Sequence, residues 1–132
     1  MASVKAQVTE YVRGHRGLAR VALQCLPDWH VHVDVPHAGR MRIRLRRNRS
    51  YWLREPLTHE WYPLAILQSF VRPGDTVWDV GANIGLYSRI LVNWLGAGRV
   101  IAFEPMSENL PELLYNLASG GIADRVTVCN VA

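Results

Sequence analysis

Two acids and a glycine-bracketed turn are the residues of this 132-residue sequence best suited to chemistry. The stretch Gly74 to Leu95 reads GDTVWDVGANIGLYSRILVNWL: a short apolar run reaches Asp79 and passes into Gly81-Ala82-Asn83-Ile84-Gly85. A second acid, Glu104, follows Gly85 by 19 residues, at the end of the next apolar run. Glycines at such a turn let main chain come close to a ligand, and an acid at that distance is suited to ribose hydroxyls. The dinucleotide fingerprint GxGxxG is not matched, because the spacing here is GxxxG, and no lysine-bearing phosphate loop occurs anywhere in the chain.

Asp79 separates the candidate ligands. A carboxylate two residues before the first glycine repels a pyrophosphate in a partly desolvated site, which disfavours a nicotinamide dinucleotide. S-adenosylmethionine has no phosphate and carries a sulfonium and an ammonium group, so an acidic rim attracts it while its ribose still calls for Glu104. Each acid also has a plainer reading. Asp79 could be a strand-end carboxylate that accepts N–H bonds from the glycine turn, a role compatible with ligand binding, and Glu104 could be an exposed strand-end acid. Their pairing at the ends of neighbouring strands favours the ligand reading.

These residues must be positioned by alternating strands and helices. Apolar runs predict strands at 76–80, 100–104 and 125–131, and three-to-four spacing predicts helices at 86–95 and 108–118. Strands separated by helices of about three turns imply a parallel sheet with right-handed crossovers. The expected fold class is α/β, a doubly wound parallel sheet. A helix is expected over 57–70, with Thr58 as N-cap and Trp61, Leu64/Ala65 and Leu67/Gln68 at helical spacing behind it. Pro73-Gly74-Asp75 ends it.

The earlier part of the chain differs in charge. Residues 1–72 hold 12 Lys and Arg against 5 Asp and Glu, whereas residues 73–132 hold 3 against 6. Periodic apolar residues from Val4 to Leu26 predict a helix weakened by Gly14 and Gly17. Next, Trp29, Val31, Val33 and Val35 alternate with His30, His32 and Asp34. Pro36-His37-Ala38-Gly39 supplies a turn, and Met41, Ile43 and Leu45 alternate with Arg40, Arg42, Arg44 and Arg46. That pattern is a β-hairpin with one apolar and one polar face.

His30, His32 and Asp34 share a face as metal ligands could, but simple alternation produces the same spacing, and no metal is assigned. The arginine row, extended by Arg47, Arg49 and Arg54, could grip phosphates. The preferred expectation is a solvated face partly neutralised by Asp34 across the strands. Without interleaved aromatic residues, nucleic acid is disfavoured as a partner. Cys25 and Cys129 stand in unlike contexts and suggest neither a disulfide framework nor a metal site. No apolar run is long enough to span a membrane; a reducing, cytoplasmic compartment is the default.

The segments VWDVGANIGLYS, Val77 to Ser88, and VIAFEPMSENLPELLYNL, Val100 to Leu117, resemble the FkbM-like family of S-adenosylmethionine-dependent methyltransferases, which mostly methylate oxygen atoms of small molecules or glycans. The resemblance covers Glu60 to about Ala132. It implies that Asp79, Gly81, Asn83 and Gly85 shape the methionine side of the cofactor site. Glu104 would hold the ribose hydroxyls, Pro105 would fix the turn after it, and Asn116 would be a structural helix position. His59 and Glu60 are the early polar residues expected nearest the methionine end. The family's sheet has about seven strands, so the expected organisation is a helix and arginine-rich hairpin in residues 1–56, then residues 57–132 as the first part of the methyltransferase domain, truncated after the third strand. Such a chain would be inactive alone and could associate through its open sheet edge. A non-catalytic cofactor-binding module, and a nucleic-acid-associated protein using the arginine hairpin, remain as alternatives.

Overall fold

A computed structural model of the protein describes residues 25, 27–48, 51, 57 and 60–131. The helix expected ahead of the hairpin falls almost entirely outside them, as do Thr58, His59, Arg49 and Arg54.

The hairpin consists of β1 (His30–Val35) and β2 (Gly39–Arg44), antiparallel with His30 opposite Arg44 and Asp34 opposite Arg40. Its turn needs positive φ at His37 (63°) and Gly39 (75°), which glycine adopts without strain. There follow α1 (Trp61–Phe70), β3 (Thr76–Val80), α2 (Leu86–Asn93), β4 (Arg99–Phe103), a 3-10 turn at Ser107–Asn109, α3 (Leu110–Ser119) and β5 (Val126–Cys129). The last three strands form one parallel sheet in the order β3-β4-β5, with Asp79 opposite Ala102 and Val80 opposite Phe103. The alternation of strands and helices read from the sequence is therefore the observed one. The helix expected from residue 57 begins at Trp61, and the one expected from 108 starts as a 3-10 turn. Of the residues at helical spacing in α1, Trp61 is 69% exposed and Leu64 is buried.

Two apolar clusters hold these elements together. Leu91, Val92, Leu95, Val100, Ala102, Leu113 and Leu117 fill the space between the sheet and helices α2 and α3. Val35, Met41 and Ile43 of the hairpin meet Leu64 of α1 and Ile84, Leu86 and Ile90 around the start of α2. The helices cover the sheet face that carries Val100 and Ala102. On the other face Trp78 and Val80 are 66% and 78% exposed, and Trp78 leans on Phe103 with ring centroids 5.5 Å apart. Among the described residues β3 is an edge strand.

The polar face of the hairpin departs from expectation. It is packed on α3, and its charge is met there rather than by Asp34. Glu112, only 2% exposed, accepts from His30 Nε2 at 2.6 Å and from Arg44 Nε at 3.1 Å. Arg42 lies over the Tyr115 ring with its guanidinium carbon 3.6 Å from the centroid, and His32 reaches the Tyr115 hydroxyl at 3.3 Å. Alternation could reveal the face but not its partner, since α3 lies some 70–80 residues further on in sequence.

Asn116 completes the join. Its Oδ1 accepts from Arg42 N at 2.8 Å, and its Nδ2 donates to Arg42 O and Ile84 O, each at 2.9 Å. One buried amide thus pairs with the outer edge of β2 as a strand residue would, in keeping with the structural role the resemblance implied. Arg89 of α2 adds a second tie, donating from Nη1 to Arg40 O at 2.8 Å and Asn116 O at 3.2 Å. His37 at the hairpin tip stacks on Trp94, centroids 4.0 Å apart.

Glu112 gives this packing a pH dependence. Burial pushes its carboxyl up, but bonds from His30 and Arg44 and their positive charge outweigh burial, and the net shift is downward from the ordinary value of 4.5. A carboxyl depressed in the folded state adds stability that is complete above the unfolded-chain value and is lost as pH falls through the folded one. Urea unfolding of the chain is expected to show a stability decline as pH drops below about 4.5, and Glu112→Gln should flatten that decline. The same substitution at neutral pH should cost roughly 1–3 kcal/mol, because His30 and Arg44 lose a charged acceptor.

Candidate functional site

The glycine turn closes over the end of β4. Gly81 N and Ala82 N both donate to Phe103 O at 2.9 Å, and Gly85 N donates to Ala82 O at 2.8 Å. Three positions need left-handed main chain: Gly81 (φ 84°), Asn83 (φ 51°) and Gly85 (φ 86°). Asparagine is among the few residues with a side chain that tolerate this region. The two glycines serve differently. A Cβ at Gly81 would enter open space, whereas one at Gly85 would lie 3.0 Å from Leu113 Cδ1. Gly81 therefore leaves the approach to the turn clear, and Gly85 lets α2 pack against α3.

Glu104 gathers the site. It is 3% exposed, so the reading of a merely exposed strand-end acid is overturned. Its Oε2 accepts from Asn83 N at 2.6 Å, and its Oε1 accepts from Met106 N at 2.9 Å and Asn109 Nδ2 at 3.1 Å. A carboxylate offers about four acceptor positions, so one remains, on Oε2. Pro105 sits exposed in the turn that follows. Asn130, just after β5, fixes the same segment by donating to Glu104 O at 2.6 Å and Pro105 O at 3.3 Å.

Asp79 is also buried, and its Oδ2 accepts from the Ser88 hydroxyl in the first turn of α2 at 2.6 Å. Burial pushes its carboxyl above the ordinary value, bonds from Ser88 draw it back, and the nearby charge of Glu104 raises it again. Two carboxylates thus feel one another across the turn. Among the described residues neither forms an ion pair with a basic side chain.

Glu60 joins from α1. It stands at the N-cap position, yet its carboxylate caps no main-chain N–H of its own helix and instead accepts from the Tyr87 hydroxyl in α2. Tyr51 is a further neighbour: burial, then the charges of Glu60 and Asp79, push its phenol up to about 12. The same causes, with the bond to Glu60, raise Tyr87. The structure accordingly brings Asp79, Gly81, Asn83, Gly85 and Glu104 together at the turn and joins Glu60 to the helix that the turn opens, through the Tyr87 hydroxyl. Sequence reasoning missed Ser88, Tyr87, Tyr51 and Asn109. Ser88 and Tyr87 lie in the first turn of the helix that the glycines open, where a side chain can turn back toward the strand end, and that placement was the available signal. Tyr51 had none.

No protein-family model matches the chain. A curated protein, the AMB antimetabolite synthetase AmbE of Pseudomonas aeruginosa, is 33% identical over 102 residues, which are 76% of this chain and 5% of that protein. The solved structure of a Pyrococcus horikoshii protein assigned as a transferase superposes with a TM-score of 0.62 at 16% identity, over 92% of this chain and 50% of the other. That of a Galdieria sulphuraria protein assigned as a sarcosine dimethylglycine methyltransferase gives 0.50 at 21%, over 58% of this chain and 30% of the other. The chain thus spans half or less of each protein it resembles. The fold is α/β with a parallel, Rossmann-like sheet whose strands alternate with helices.

The two glycines should respond unequally to substitution. Gly81→Ala carries only the strain of a left-handed backbone, about 1 kcal/mol. Gly85→Ala adds a contact with Leu113 and is expected to cost about 2 kcal/mol or more. Chemical denaturation of both variants checks the order.

Proposed function

We propose that the chain carries the cofactor-binding part of an S-adenosylmethionine-dependent methyltransferase, FkbM-like, acting on an oxygen of a small molecule or glycan. The observation that carries this reading is the pair of buried carboxylates, Asp79 and Glu104, flanking a positive-φ turn without a basic partner among the described residues. A turn so built repels phosphate and attracts a cationic nucleoside. Bound there, S-adenosylmethionine supplies an electrophilic methyl group held on a sulfonium.

The chain's own residues bind and orient. Gly81 leaves space for the ligand to meet main chain, and Asp79 and Glu60 give the amino-acid end an acidic wall. Glu104 accepts one ribose hydroxyl at its remaining position; a second must displace the Asn83 N–H. Pro105 holds the segment that follows. The likeness to a methyltransferase of the same fold and to a synthetase of an antimetabolite supports a small-molecule acceptor. Arg42 and Arg44 are already engaged by Glu112 and Tyr115, which counts against the hairpin as a nucleic-acid surface. In this reading residues 57–132 are the cofactor-binding unit and residues 1–56 a helix-and-hairpin unit that shares a core with it. No helix among the described residues is long and apolar enough to cross a membrane, and a cytoplasmic setting belongs to the same proposal.

Calorimetric titration with S-adenosylhomocysteine tests the reading. Glu104→Gln removes the charged acceptor and should weaken binding by about 1.5–3 kcal/mol. An unchanged dissociation constant would remove Glu104 from the site and the cofactor assignment with it.

A further inference from the structure

The contact between Tyr87 and Glu60 is not needed to build either helix. Glu60 stands at the N-cap position of α1, and its side chain makes no capping bond to that helix. Its carboxylate turns outward from α1 to the first turn of α2, where the Tyr87 hydroxyl donates to Oε2. Tyr87 is thereby fixed between two structures. Its ring packs with Tyr51 and Leu57 against the cluster of Ile84, Leu86 and Ile90, and Ile84 belongs to the glycine turn itself. Its hydroxyl holds Glu60, an acid that comes from another element than the helix the turn opens.

We propose that Tyr87 is a positioning residue: it fixes the Glu60 carboxylate beside the glycine turn so that this carboxylate and Asp79 receive the ammonium of the cofactor's amino-acid end. The assignment rests on the cofactor reading above and adds to it the residue that sets the second acid in place. Oε2 of Glu60 takes the tyrosine hydroxyl, and Oε1, which makes no bond among the described residues, faces the ligand in this assignment. The phenol suits a permanent donor, because burial, its bond to Glu60 and the charges of Glu60 and Asp79 all favour keeping its proton. It is not an acid–base group for the transfer step. Without the hydroxyl the carboxylate is free to turn away, and affinity should fall only for ligands that possess the ammonium.

Two ligands separate this role from general support of the fold. S-adenosylhomocysteine carries the amino-acid end, whereas 5′-methylthioadenosine keeps adenine, ribose and sulfur and lacks it. In calorimetric titrations of the chain, Tyr87→Phe is expected to weaken S-adenosylhomocysteine about tenfold and to leave 5′-methylthioadenosine unchanged. Glu60→Gln should show the same selective loss, and the double variant should lose little more than either single one. If Tyr87→Phe loses the fold, Glu60→Gln carries the comparison by itself. Equal losses for both ligands, or none, overturn the positioning role while leaving the cofactor reading standing. A chain that binds neither ligand before substitution overturns both.

Discussion

The buried carboxylate of Glu104 is the interaction on which the site depends. Its three donors come from three places: the glycine turn after β3, the loop after β4, and the residue that leads into α3. A charge this deep is tolerable only if its lone pairs are met, so these segments are held to one another by the cost of leaving it unmet. The left-handed conformation at Asn83 follows from the same demand, since Asn83 N must face Oε2. A ligand that brings two hydroxyls competes for a carboxylate already in use, and binding is coupled to a local rearrangement of the turn.

Electrostatics divide the molecule into two unlike neighbourhoods. Around Glu112 one acid meets His30, Arg42 and Arg44, and opposite charges are matched inside the protein. Among the described residues the donors to Asp79, Glu104 and Glu60 are neutral: a serine hydroxyl, main-chain and side-chain amides, and a tyrosine hydroxyl. The first arrangement joins the hairpin to α3 and serves packing. The second leaves carboxylates without a basic partner among the described residues, and burial first, then the charge of Glu104, raises Asp79.

Local pattern made much of this visible in the sequence. The sheet strands, their helices and the hairpin follow from apolar runs and alternation, and β3 begins and ends where the run of residues 76–80 does. Asp79 and Glu104 were legible because strand ends in a parallel sheet converge and the glycine turn marks the edge where they meet. The fate of the arginine row was not. Its partner is a single glutamate on α3, and nothing in a strand's own periodicity reports what packs on it from far along the chain. The burial of Glu104 was hidden for a related reason, since it depends on Asn109 and on main-chain N–H groups that carry no residue signature. Tyr51 packs on the cluster that holds Ile84, Leu86 and Ile90, a contact with no local signal in the sequence.

The union of the hairpin with α3 bears on the order in which the chain can acquire its structure. Residues 30–44 are synthesised early and can pair locally, but the outer edge of β2 and the guanidinium groups above it find Glu112 and Asn116 only after α3 exists. Until then the hairpin is a two-stranded ribbon, marginal in water on its own. Because synthesis runs from the N-terminus, the nascent chain must carry this unpaired, strongly cationic ribbon through more than 60 residues of elongation. Until α3 brings Glu112 to Arg42 and Arg44, the like charge of that face opposes association through it.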